Sequence, residues 1–351
     1  MAKDKKLRVA VLGAGSIAKH RHLPEYAARP DVEIVALVDL NKDRAKGFAE
    51  KYNIPNVFRD YRDALKLRPD AVSVCTPNAF HALHTLAALK AKAHVLCEKP
   101  MAISLPEARK MIASAKAHNR QLMIGHNQRL APGHVFGRDL YQSGVLGKCI
   151  NFRTTFAHGG PEFWSADGLN CHFFKKKLTV FGTLADLGVH KIDLIRWMLG
   201  EDIVQVSAMY DTLVKKNCNV DDSAVAVFRT ASGALGQMYA GWGHNPGCDN
   251  STVLYCEKGI LRIGSDPVYT VIVELADGER QMIKTKALQS NEEGGQTDSG
   301  VMATFVECTV KGKPCQIPGE EGAQSMAVIL ACLESAETKR FVAVNGVLAN
   351  A

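Results

Sequence analysis

Through the first 125 residues, short apolar runs alternate with amphipathic stretches. The runs LRVAVLG, VEIVALVD, AVSVCTP, AHVLCEKP and QLMIG carry few polar positions. Strands covered on both faces have this near-continuous apolar character. Between them the spacing predicts helices over 16–28, 42–52, 79–92 and 105–118. A short VFRD run and the YRDALKL segment add one further unit. Regular strand–helix alternation predicts a doubly wound parallel sheet with right-handed crossovers.

After Arg129 the period changes. PGHVFGRDLYQSG reads as a helix, and from Lys148 onward period-two segments dominate: KCINFRTTFAH, VQVSAMYDTLV, SAVAVFRT, ALGQMYAGW, STVLYCEKGILRIG and YTVIVELADGERQMIKTK. Turn pairs at Ser232–Gly233 and Asp277–Gly278 separate some of them. The pattern predicts an α+β domain over 126–351 with a large, mainly antiparallel open sheet. One strong helix is expected over 184–198, a last one over 322–338, then a short RFVAVN strand. NEEGGQTDSG, 291–300, reads as a mobile loop.

The first strand runs into VAVLGAGSIA, which sets Gly13, Gly15 and Ala18 at G-x-G-x-x-A spacing before a helix. That context makes residues 1–125 a Rossmann dinucleotide-binding domain. Gly13 allows the tight turn and Gly15 lets backbone approach a pyrophosphate. The helix start, with Ser16 and Ile17, offers amides and a positive dipole end. The second strand ends in Asp39, placed to accept ribose hydroxyls, which favours NAD over NADP because a 2′-phosphate would be repelled. Ligands of such sheets lie beyond the strands' carboxyl ends. Thr76, Pro77, Asn78 and His81 therefore read as cofactor-lining, although Asn78 also reads as a helix cap.

Composition narrows the picture further. A chain of 351 residues with 46% hydrophobic content suits two soluble domains. The net charge of +7 is scattered, with no basic block longer than Lys3–Lys6, which argues against nucleic acid. Ten cysteines contain no C-x-x-C pair, which points to a reducing compartment. No apolar stretch approaches the ~20 residues of a membrane span. A soluble, cytoplasmic protein is expected. His20-x-His22 looks like a metal pair, but no third ligand stands at suitable spacing, so no metal is expected.

Two stretches carry candidate chemistry. HVLCEKPMA ends an apolar strand in Glu98, Lys99 and Pro100, and charges rarely finish a buried strand for packing reasons. At a strand's carboxyl end, Lys99 would stand beside a nicotinamide; the competing reading is a surface lysine. In GTLADLGVHKIDLIRWMLG, Asp186, His190 and Asp193 form one polar stripe on an apolar helix. His190 could take a carbinol proton while Asp186 orients its ring. Thr183-x-x-Asp186 also has the form of a capping box, in which Asp186 would only start the helix.

Together, Gly13-x-Gly15-x-x-Ala18, Thr76-Pro77-Asn78 with His81, Glu98-Lys99-Pro100 and Asp186-x-x-x-His190 resemble the Gfo/Idh/MocA oxidoreductases. The resemblance covers nearly the whole chain. It implies NAD(P) chemistry on secondary alcohols of sugars, their derivatives or cyclitols, and a C-terminal sheet that builds homodimers or homotetramers. It implies that Lys99 and His190 are catalytic with Asp186 in support. It places Glu98, Lys99 and Asn127 near the cofactor. His158, Trp164 and Lys177 become substrate candidates. A polyol, sugar or glycoside is the expected partner. Two other functions fit the same resemblance: redox-assisted glycoside cleavage with tightly held NAD, and a non-catalytic sugar or NAD sensor.

Overall fold

The computed structural model describes residues 6–245, 247–286 and 298–346. Most of the predicted 291–300 loop lies outside the described residues. The chain divides into two compact units. The first comprises 1–126, 164–167 and 289–323; the second comprises 127–163, 168–288 and 324–351.

The first unit is built on β1 (Leu7–Leu12), β2 (Val32–Val38), β3 (Val57–Phe58), β4 (Ala71–Val74), β5 (His94–Cys97) and β6 (Leu122–Ile124). They form one sheet in the order β3-β2-β1-β4-β5-β6, every pair parallel. This is the doubly wound order, with its switch point between β1 and β4. The intervening helices are α1 (Leu23–Ala27), α2 (Lys42–Tyr52), α3 (Tyr61–Lys66), α4 (His81–Lys90) and α5 (Leu105–Ala117). A π-helical turn over Ala18–His22 precedes α1. At α5 the Ser104 hydroxyl accepts Glu107 N while Glu107 Oε2 accepts Ile103 N, so the helix start is closed from both sides.

The second unit begins with α6 (Pro132–Gln142), then β7 (Cys149–Ala157). Next come α7 (Lys176–Thr179), α8 (Thr183–Asp186) and α9 (Gly188–Leu199). Its remaining strands are β8 (Ile203–Asp211), β9 (Ser223–Thr230), β10 (Leu235–Gly241), β11 (Thr252–Cys256), β12 (Gly259–Ile263), β13 (Val271–Leu275) and β14 (Arg280–Ile283). After α10 (Val301–Val310) and α11 (Gly319–Thr338), β15 (Val342–Ala343) completes a nine-stranded sheet ordered β14-β13-β12-β11-β7-β10-β9-β8-β15. Only β7 and β10 pair in parallel. β9 alternates strictly: Ala224, Ala226 and Phe228 are buried, while Val225 and Val227 are exposed. One face thus packs under α9, and the other stays open.

Three details depart from the sequence reading. STVLYCEKGILRIG, read as one period-two segment, is a hairpin of two antiparallel strands. The single helix expected over 184–198 is two pieces, interrupted at Leu187. α10 was not anticipated. Among the described residues, no helix is long and apolar enough to cross a membrane.

Candidate functional site

In the first unit the glycine turn forms as its spacing requires. Gly13 has φ +100°, and a Cβ there would stand 2.5 Å from the Cys75 carbonyl oxygen, so only glycine fits. A Cβ on Gly15 would meet no protein atom within 4 Å. Packing does not demand glycine at 15, whereas close approach of a ligand's phosphates does. Ser16 and Ile17 open the helix, both half-buried. Asp39 is tied into the turn: its carboxylate accepts Ala14 N at 2.7 Å and Asn41 N at 2.7 Å. A carboxylate retains further acceptor sites for ribose hydroxyls. Arg44 pairs with Asp39 at 3.3 Å and with Asp167 at 2.8 Å. These features fit NAD: the turn, the helix start and Asp39 would hold it.

The segment 164–167 belongs to this unit, where the sequence placed it with the substrate. The Ser16 hydroxyl donates to the Trp164 carbonyl at 3.1 Å and accepts Ala166 N at 2.7 Å. Trp164 is therefore anchored at the glycine turn, and the Ser16 hydroxyl is already engaged there.

At the ends of β4 and β5, His81 holds two turns together. Its Nδ1 lies 2.7 Å from the Pro100 carbonyl and its Nε2 2.7 Å from the Thr76 carbonyl. Burial lowers its pKa, and a neutral ring donates to only one of the two. The ring is 1% exposed, so His81 positions Thr76 and Pro100 rather than lining the cofactor, as a position past a strand end had implied. Thr76 Oγ1 lies 3.0 Å from His84 Nδ1, and Pro77 is half-buried. Asn78 opens a 3₁₀ turn whose cap position is Pro77, so it is not the helix cap.

Glu98 is 5% exposed. Its carboxylate meets His22 Nε2 at 2.9 Å, Arg21 at 3.5 Å and Lys99 N at 3.3 Å. Burial opposes its charge, but His22, Arg21 and Lys99 together hold the carboxyl down at about 2. Glu98 thus braces the turn from inside instead of facing a ligand, and His22 is committed to it. Lys99 follows as a half-buried residue at the carboxyl edge, and its bond to Pro100 is cis.

In the second unit, Asp186 and His190 are 3% and 7% exposed. Phe156 packs edge-on to His190, ring centroids 5.6 Å apart. The capping-box reading of Asp186 does not hold. Gly182 is the cap position and no side chain of the turn caps it. Asp221 does that work from across the fold, accepting Gly182 N at 2.8 Å, Leu184 N at 2.8 Å and Thr183 Oγ1 at 3.0 Å. Its neighbour Asp222 accepts Leu213, Val214 and Lys215 amides.

The third residue of the stripe has a different role. Asp193 makes a two-pronged ion pair with Arg129, at 2.7 and 2.6 Å, and accepts Ser325 Oγ. It is buried scaffold, not substrate-facing. Lys191, beside His190, is wholly buried. It donates to Asn250 O at 3.1 Å and Thr252 Oγ1 at 3.3 Å, and burial lowers its pKa to about 7. Sequence reasoning missed Asp221 and Lys191. The adjacent acids before the β9 run were the visible signal for the first; nothing marked the second.

Of the remaining candidates, Asn127 starts a 3₁₀ turn after β6. His158 follows β7, its Nδ1 accepting Gly160 N at 3.0 Å. Lys177 is exposed on the one-turn α7. Lys99 belongs to the first unit and Asp186 with His190 to the second.

A doubly wound parallel sheet with a fitted glycine turn and a carboxylate at the end of β2 defines an NAD-binding Rossmann fold. A family model described as an oxidoreductase family with an NAD-binding Rossmann fold matches residues 7–126, and the C-terminal domain model of the same family matches 137–262. The chain belongs to the Gfo/Idh/MocA oxidoreductases. It is 37% identical to D-glucoside 3-dehydrogenase of Escherichia coli K12 over 55% of this chain and 54% of that one. It is 27% identical to myo-inositol 2-dehydrogenase of Thermotoga maritima over 97% of this chain and 100% of that one. The solved structure of aldose–aldose oxidoreductase from Caulobacter crescentus superposes with a TM-score of 0.83 at 25% identity, covering 97% of this chain and 100% of that one.

Proposed function

We propose that this protein is an NAD-dependent dehydrogenase that oxidises a secondary ring alcohol of a sugar, sugar derivative or cyclitol. The observation that carries the reading is that Asp186 and His190, four residues apart on the consecutive helices α8 and α9, are both buried while the start of α8 is capped by Asp221 instead. The names of the relatives, glucoside and inositol dehydrogenases, agree with that substrate class.

Bound NAD supplies the hydride acceptor. The chain's own residues handle the proton. His190 accepts the proton of the carbinol, and Asp186 orients the ring and stabilises its charged form. Lys99 donates hydrogen bonds to the reacting hydroxyl or the nicotinamide ribose. Thr76, Pro77 and Asn127 remain candidates for cofactor contact, and His158 and Lys177 for substrate contact. The ten cysteines, all outside disulfides, support a reducing, cytoplasmic location.

The exposed Val225, Val227, Met209 and Leu235 on the open face of the second sheet support a homo-oligomer formed there. Val227→Glu should then reduce the mass measured by light scattering, and an unchanged mass would remove this face from the interface. The function itself is tested by incubating the protein with NAD and a panel of pyranoses, inositols and glycosides. Reduced nicotinamide is followed by absorbance and products by mass. Net NADH with an oxidised product supports the dehydrogenase. Cleaved product without net NADH would replace it with redox-assisted glycoside cleavage. Neither product on any member of the panel would overturn both.

A further inference from the structure

Most of the ten cysteines are dispersed and buried. Four fall in two close pairs, Cys149 with Cys256 and Cys308 with Cys315. Cys308 lies on the inner side of α10 and is 2% exposed. The chain leaves α10 through an exposed stretch with Gly312 at φ +63° and brings back Cys315, half-buried. Their sulfurs stand 2.9 Å apart, roughly 0.9 Å longer than a covalent S–S bond.

Each sulfur is held by its own anchor. Val301, Met302, Phe305 and Val306 are buried and seat α10. Beyond Cys315, Ile317 O accepts Ile124 N at 2.9 Å and Pro318 bridges to Met123, so the returning segment is bound to β6. The pair is therefore a fixed feature of the first unit and not a chance approach of two loose side chains.

The two thiols are also unequal. The hydrogen bond between them favours the thiolate of Cys315 and pushes the Cys308 thiol up. Cys315 is the more accessible of the two, and accessibility with thiolate character is what makes a cysteine the first to react. By contrast, Cys149 and Cys256 are cross-strand partners, but both are buried at 6% and 9% exposure.

We propose that Cys308 and Cys315 are a peroxide-oxidisable dithiol that closes reversibly to an intrachain disulfide. The Cys315 thiolate attacks one oxygen of hydrogen peroxide; an S–O bond forms, the O–O bond breaks, and hydroxide leaves. Cys308, losing its proton to that hydroxide, then attacks the Cys315 sulfur. The S–S bond forms, the S–O bond breaks, and the departing hydroxide takes a proton from solvent as water. Two thiols are oxidised by two electrons, and one peroxide is reduced to two waters. A small dithiol such as dithiothreitol reverses the change by exchange.

The test uses the full-length protein. It is treated with hydrogen peroxide, alkylated with iodoacetamide, digested with trypsin and mapped by mass spectrometry. Cleavage after Lys311 places the two cysteines on separate peptides. The expected result is a linked pair of peptides two hydrogens lighter than their sum, lost after dithiothreitol and absent in Cys315→Ser, whose turnover in the reduced state matches wild type. Recovery of both cysteines alkylated after oxidation would overturn the proposal. So would Cys315 recovered as sulfinic acid with Cys308 still alkylated, or Cys315 linked to a different cysteine. Cys308→Ser is buried at the substitution site, so the wild-type map and Cys315→Ser decide the outcome without it.

Discussion

Asp221→Ala is the sharpest test of how the second unit is built. The carboxylate accepts two buried amides at 2.8 Å and the Thr183 hydroxyl at 3.0 Å. The hydroxyl can turn elsewhere; the amides of Gly182 and Leu184 cannot. Each buried donor left unsatisfied costs about 1–3 kcal/mol. Two of them, with the lost charge assistance, give about 3–5 kcal/mol, the range for breaking a buried charged contact. In a domain of this size that lowers Tm by roughly 10 °C. Asp221→Asn keeps one acceptor oxygen and should lose about half as much.

The same substitution should reach the chemistry. The turn that Asp221 caps carries Asp186, and α9 then carries His190, so kcat should fall in Asp221→Ala while NAD affinity holds. Burial raises the Asp221 pKa against its hydrogen bonds. The native state then holds its proton more tightly than the unfolded chain, so wild type loses part of its lead over Asp221→Asn as pH rises above about 3.8. The assays are thermal unfolding at several pH values and steady-state kinetics. A Tm within 2–3 °C of wild type (about the shift of 1 kcal/mol) together with unchanged kcat would refute the reasoning.

Three further outcomes are expected. Glu98, held at about 2 against an ordinary 4.5, should contribute about 3 kcal/mol above pH 4.5; this is lost as pH falls toward 2, so denaturant titrations should show the gap between wild type and Glu98→Gln closing across that window. Lys191, lowered to about 7 from 10.5, binds a proton more readily in the unfolded chain. Wild-type stability should therefore rise with pH between 7 and 10.5, and Lys191→Met should abolish that rise in urea unfolding. His190→Ala and Lys99→Ala should each lower kcat by about 10²–10⁴-fold with NAD binding retained by calorimetry; either variant turning over normally would remove that residue from the proton-handling role.

The parts of the molecule readable from sequence are those whose cause is local. Buried parallel strands are apolar along their whole length, so β1, β2, β4 and β5 announce themselves, and α2 was bounded correctly by its spacing. Gly13 and Asp39 were legible because a turn and the end of the next strand fix their positions within one βαβ unit. α10 was not, because VMATFVECTV is apolar on most sides and carries β-branched residues, so its period identifies neither helix nor strand. The β11–β12 hairpin turns on Glu257 and Lys258, without a glycine pair to signal it.

Site residues divide on the same line, and the polar stripe of Asp186, His190 and Asp193 shows why. Asp186 and Asp193 are indistinguishable by spacing: both are acids on one face with His190. Their roles are separated by partners far away in sequence. Arg129, 64 residues from Asp193, takes that carboxylate into a buried ion pair. Asp221, 35 residues beyond Asp186 in the chain, removes the capping role that the local pattern assigned to it. His81 and Glu98 are the converse case. A strand's carboxyl end gave them the right address, but the direction of each side chain was set by Pro100 and His22, which no periodicity predicts. Spacing locates the polar groups of such a site; which of them meets a ligand depends on which have already been claimed by the scaffold.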